Sequence, residues 1–248
     1  MGIVLTFVVN AMRVWRWQVL THGVGFHSPL PTAWRAYHIG TFLGTITPAK
    51  MGELGRVAYL GRDRASMSAA LGLLIVERIA DVATMGMLAI GAVGLLFGET
   101  WFLRVAAAIV GALLLIILVM FWTHRFLPAS VRDVLKKLRA HHVLLPFIFM
   151  TIFVWSLYFI WCISFAWSRG ITIPTLSLAA AFTIAAAVAV LPIAPSGLGT
   201  RDAALITLLT PFGLPSTHAV ALSLLIFLAI LLASTPGLFY WITANRRS

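Results

Sequence analysis

Apolar residues fall in long blocks separated by short polar breaks. The longest block, residues 69–97, is interrupted only by Glu77, Arg78 and Asp81 and ends at the polar turn Gly98, Glu99 and Thr100. Residues 101–123, 143–167 and 217–244 are further blocks, each long enough for the roughly 18–20 apolar residues that cross a bilayer. Two other segments are shorter and broken. Residues 31–47 predict a helix stopped by Pro48, which lacks an N–H and keeps the residue before it out of the helical region; a short helix over 48–60 follows. Residues 174–191 run into the string IAPSGLGT, and 201–210 then predict another short helix. The first segment, 2–20, is apolar only as far as Val9 and then meets Asn10, Arg13 and Arg16; with no small-residue cleavage site after it, it reads as the end of a span and not as a signal peptide.

Composition supports the same picture. The chain is 61% hydrophobic and 10% charged, against about 25% charged in soluble domains. The fold class expected is therefore an all-α, multi-pass membrane protein. Its 18 Lys and Arg against 7 Asp and Glu leave +11, a surplus that would suggest nucleic acid in a soluble protein. Here the cations flank apolar blocks and set orientation, so no nucleic-acid partner is expected. Residues 124–142 hold Arg125, Arg132, Lys136, Lys137 and Arg139 against Asp133. The positive-inside bias puts this loop on the cytoplasmic side of the cell membrane, and the alternation of spans brings the C-terminus there too. Within it Val131, Val134, Leu135 and Leu138 recur at helical spacing, which predicts an amphipathic helix anchored at the bilayer surface.

The order of blocks is itself patterned. Residues 1–97 read as span, broken helix and long span; residues 143–248 repeat that order, and 98–142 supply one linking span and the basic loop. An odd span between them makes the two units face opposite ways, the inverted-repeat plan of many transporters. Both breaks carry P-x-x-x-G, as Pro48 with Gly52 and Pro195 with Gly199.

Four of the seven carboxylates, Glu53, Glu77, Asp81 and Asp202, lie beside the breaks or inside the longest block. Glu77 sits about 15 Å into its helix, where a carboxylate needs a partner. Lys50, Glu53 and Arg56 fall on one side of the short helix, and Arg78 lies one turn from Asp81. Cross-helix pairs of Arg56 with Glu77 or Asp81, and of Arg78 with Glu53, would satisfy them. Lys50, Arg56, Arg78 and Arg201 balance the four acids. Such a set is either a permanent ion-pair network or a set of pairs that open around an anionic headgroup. Thr47 as N-cap and Pro48 as first helical residue, like Ser196, Gly197, Gly199 and Thr200 ahead of the later short helix, place N–H donors at the breaks. The glycines there serve either that role or close helix packing.

At these residues the chain resembles a family. TPAKMGELGR, IVERIAD and APSGLGTRDA, in that order and after RVWRW, are similar to the flippase-like membrane region of lysylphosphatidylglycerol synthases and its stand-alone relatives. The resemblance implies a multi-pass protein that moves or presents a phospholipid or lipid-linked headgroup between leaflets. Arg13 and Arg16 match its early basic motif; Pro48, Gly52, Glu53 and Arg56 its first break; Glu77, Arg78 and Asp81 its charged helix; Pro195, Gly197 and Gly199 its second break. Ser196 stands where glycine is usual and Asp202 where glutamate is usual. The resemblance further implies membrane sequence ahead of RVWRW, hence a chain short at its N-terminus, and no aminoacyl-transferring domain.

Enzyme signatures are absent. There is no HExxH, GxSxG or Walker loop, so no catalytic residue, metal or cofactor is expected. Ser196 with His218 could imitate a nucleophile and base but is more simply coincidence, and His141 and His142 read as interfacial. The lone Cys162 excludes an intrachain disulfide. Membrane lipids with anionic headgroups are the expected partners. A scaffold docking a lipid-modifying partner enzyme, and a small-solute carrier using Glu77 and Asp81 as a proton relay, are the alternatives.

Overall fold

In a computed structural model, residues 2–58, 64–123, 129–138, 140–189 and 197–245 are described. Among them the chain is helical, without strands. The helices are α1 (Gly2–Gly23), α2 (Leu30–Ile46), α3 (Gly55–Ala58), α4 (Arg64–Phe97), α5 (Glu99–Thr123), α6 (Ala129–Leu138), α7 (His141–Ser168), α8 (Thr175–Ala189), α9 (Thr200–Leu209) and α10 (Ser216–Asn245). Within the described residues, Met67–Phe97, His142–Ser168 and Ser216–Ala244 are long and apolar enough to cross a membrane. The first segment is more than a span end: α1 is one continuous helix of 22 residues, about 33 Å long at 1.5 Å per residue.

The two halves of the chain pack against each other. α1 packs on α7, α2 on α10, and α8 on α4. The 17-residue α2 stops where Thr47 turns extended (φ −107°, ψ 145°) before Pro48, as the pre-proline restriction demands. A 3-10 turn over Pro48–Leu54 leads into α3, and both fold back on α2. α9 likewise folds back on α8. The segment expected as one short helix over 48–60 is thus a 3-10 turn and a single helical turn, with residues 59 and 60 outside the described set.

Two close approaches explain these packings. A Cβ on Gly52 would overlap the Leu43 backbone, and one on Gly44 would lie 2.6 Å from Glu53 Cγ; the small-xxx-small pair Gly40 and Gly44 is what lets the turn lie against α2. Gly237 on α10 leaves no room for a Cβ against the His38 carbonyl, so α2 and α10 meet backbone to backbone.

α5 packs on α4 and presents exposed side chains such as Trp101, Leu114, Leu115 and Trp122. In a membrane protein such a face is solvated by hydrocarbon. α6 departs from its expected place. Val134 and Leu138 are buried with Val14, Trp17 and Leu20 of α1, Leu73 of α4 and Phe147 of α7, and Lys137 donates to the Val24 carbonyl at 3.0 Å. The apolar stripe assigned to the bilayer surface is packed on protein, because a core cluster at the ends of α1, α4 and α7 offers it a drier surface.

Candidate functional site

The buried charges gather where α1, the 3-10 turn with α3, and α4 meet. Glu77 is fully buried, and Arg16 and Arg56 are nearly so. Arg16 donates to Glu77 Oε1 at 2.7 Å and reaches both carboxylate oxygens of Asp81, at 2.5 and 3.1 Å. Arg56 bonds the other Glu77 oxygen, Oε2. Its guanidinium lies 4.1 Å from the Trp17 ring centre and 5.1 Å from that of Tyr37, so two aromatic faces stand in for the water it has lost. Arg78, the most exposed member, reaches Glu53 at 3.0 Å and Asp81 at 3.5 Å. Trp155 of α7 donates its indole N–H to Asp81 at 3.2 Å.

The expected pairs Arg56 with Glu77 and Arg78 with Glu53 are both present. The membership of the cluster differs from the expected four against four. It is Arg16, Arg56 and Arg78 against Glu53, Glu77 and Asp81, neutral by itself. Arg16 enters because α1 runs past the middle of α4; the sequence carried it only in the early basic motif. Lys50 lies in the 3-10 turn, and its side chain is outside the described residues.

Arg201 and Asp202 sit elsewhere. Arg201, buried, donates Nε to Ser223 Oγ at 2.8 Å and a terminal nitrogen to the Ser223 carbonyl at 3.0 Å. The Ser223 hydroxyl donates to Asp202, whose other oxygen accepts the Gly199 N–H at 3.0 Å. Asp202 is therefore the N-terminal capping carboxylate of α9, not an ion-pair partner in the central cluster. Gly199 (φ +80°) and Gly197 (φ +73°) hold the left-handed turn before α9, and at Gly197 a Cβ would also overlap that of Ala189. Pro195 and Ser196 lie outside the described residues. Thr47 occupies the N-cap position of the 3-10 turn with Pro48 at its first residue. Its hydroxyl donates to the Leu43 carbonyl at 2.7 Å and accepts the Gly52 N–H at 2.8 Å, tying the turn to α2 instead of facing a ligand.

A cavity of about 490 Å³ opens beside the network. Its wall takes residues from α1, α2, the turn before α3, α4, α7, α8, α9 and α10, and includes Asn10, Arg13, Arg78, Asp81, Tyr158 and Arg201. Arg201, which looks separate from the network in the sequence, thus faces the same space. Tyr158 and Ser223 carried no sequence signal of their own. No group of three or more His, Cys, Asp or Glu side chains suited to a metal occurs among the described residues.

A helical, multi-pass membrane protein with a charged cavity walled by nearly all its long helices is the class that this arrangement defines. Within that class the chain belongs to the family described as the lysylphosphatidylglycerol synthase TM region, whose model matches residues 1–237. It is also similar to a "UPF0104 membrane protein" of Methanothermobacter thermautotrophicus, with 24% identity over 265 residues covering 89% of this chain and 78% of that one. No solved structure matches it.

Proposed function

We propose that this protein is a flippase-like carrier that moves or presents a phospholipid or lipid-linked headgroup between leaflets, and that it does so without catalysis. One observation carries the reading: a cavity whose largely apolar wall is studded with charged and polar side chains lies inside a helix bundle whose outer surface is apolar. Charge at membrane depth is costly and by default marks a path for a polar passenger. A volume of about 490 Å³ is within the range of small-molecule sites and would admit a headgroup while the acyl chains stay in lipid.

The packing pattern supports the same reading. Exchanging α1, α2 and α4 with α7, α8 and α10 turns the α2–α10 contact into α8–α4 and leaves α1–α7 unchanged. We read residues 1–97 and 143–248 as two inverted-topology repeats with the cavity at their interface, the place where such carriers bind. The basic residues 124–142 and the C-terminus then face the cytoplasm.

The test is reconstitution of the purified protein into liposomes with trace labelled phospholipids, following how fast inner-leaflet label becomes accessible from outside. The protein should speed exposure, and Ala233→Trp, which places an indole in the cavity, should abolish the gain. Exchange no faster than in protein-free vesicles, from folded protein, would sink the carrier reading in favour of a scaffold that presents lipid to an enzyme.

A further inference from the structure

The cavity wall is not electrically neutral, and the imbalance has an address. The network of Arg16, Arg56 and Arg78 with Glu53, Glu77 and Asp81 cancels to zero. Two further cations line the same cavity, Arg13 and Arg201. Among the described residues neither makes an ion pair. Arg13, half-buried on α1, stands 6.0 Å from the centre of the Tyr158 ring. Arg201, only 3% exposed, bonds the Ser223 hydroxyl and carbonyl, both uncharged. Even with Asp202 counted against Arg201 through Ser223, one positive charge is left over. Arg13, Arg201 and the Tyr158 ring beside Arg13 all line this one cavity.

An unpaired buried cation is expensive in a membrane interior, whereas a guanidinium facing a phosphate oxygen forms strong charge-assisted hydrogen bonds. We propose that Arg13 and Arg201 are the anion-binding pair of the cavity and take the phosphodiester of a lipid headgroup with net negative charge, while the six-residue network stays closed as scaffold. This rests on the carrier reading and sharpens it. The headgroup is held by the surplus cations and does not break the salt bridges. Arg13 and Arg201 come from opposite halves of the chain, so the bound phosphate would bridge the two.

The experiment measures binding of three probes to the full chain in neutral detergent: dihexanoyl phosphatidylglycerol, dihexanoyl phosphatidylcholine and inorganic phosphate. Wild type should prefer phosphatidylglycerol over phosphatidylcholine, and Arg13→Gln and Arg201→Gln should each weaken phosphatidylglycerol binding by about tenfold or more. Arg13 is half-buried without an ion pair, so Arg13→Gln should keep the wild-type unfolding temperature and stays informative if Arg201→Gln does not fold. Phosphatidylglycerol binding unchanged in Arg13→Gln would overturn the anion pair and leave the carrier reading standing. Arginine-dependent binding of inorganic phosphate, with no binding of the short-chain lipid, would keep the anion pair and overturn the lipid carrier. No binding of any probe to wild type would overturn both.

Discussion

Arg16 and Glu77, 61 positions apart in the chain, meet through a 2.7 Å hydrogen bond from which solvent is excluded on both sides. The pair joins the first helix to the middle of the longest one. Because Glu77 spends its second oxygen on Arg56, one carboxylate holds α1, α4 and the turn of α3 together.

Glu77→Gln should therefore destabilise the protein strongly. It leaves two buried guanidinium groups facing a neutral amide, a loss of about 3–5 kcal/mol by analogy with other broken buried pairs. Glu53→Gln should cost on the order of 1 kcal/mol, because its partner Arg78 is 37% exposed and such pairs are screened. Thermal unfolding in detergent compares the two; equal losses would mean that the network is not centred on Glu77.

The helix contacts make a paired prediction for glycine. Gly237→Ala puts a methyl group into the His38 carbonyl and should cost about 1–3 kcal/mol, as overpacking does. Gly91→Ala, with nothing within 4 Å of the new methyl, should stabilise α4 by about 0.5–1 kcal/mol. Opposite shifts in unfolding temperature are the expected result.

Ser223→Ala removes the hydroxyl that links Arg201 to Asp202. Asp202 keeps its bond to the Gly199 N–H, so α9 should stay capped. The expected loss is about 1–3 kcal/mol, the cost of leaving buried polar groups short of a partner. Ser223→Thr, which restores the hydroxyl, should recover part of it; an unchanged unfolding temperature in Ser223→Ala would show that the link contributes nothing.

Cys162, the sole cysteine, is fully buried among Trp161, Phe165 and Ala166. A maleimide should leave the folded protein unlabelled and react only on unfolding, which makes the thiol an internal folding probe. Rapid labelling of wild type under native conditions would contradict the packing of α7.

Much of the fold is legible in the amino-acid sequence alone. The apolar blocks marked α4, α5, α7 and α10, and Pro48 marked the end of α2, because block length and proline chemistry act within a few residues of themselves. The pairs Arg56 with Glu77 and Arg78 with Glu53 were readable too, since a carboxylate in an apolar run must find a cation and these were close in the chain. Arg16 was hidden by its distance in sequence, although its place six residues after Asn10 at the polar end of α1 was the available signal. Ser223 was hidden by its ordinariness, as a lone serine in a long span is unremarkable until its neighbours are known. The pair Gly40 and Gly44 was a visible small-xxx-small pattern whose meaning appeared only with the turn lying against it.

The sequence by itself determined that this is a helical membrane protein with costly charges at its breaks and inside its longest span, because hydrophobic run length and the expense of buried carboxylates are local facts. Only the tertiary structure decided which charges cancel and which are left over. Neutrality depends on which charged side chains are brought within about 3 Å of one another, and the chain settles that by packing small residues and aromatic faces from distant segments. Arg16 was thereby drawn into the network, and Arg13 and Arg201 were left facing the cavity.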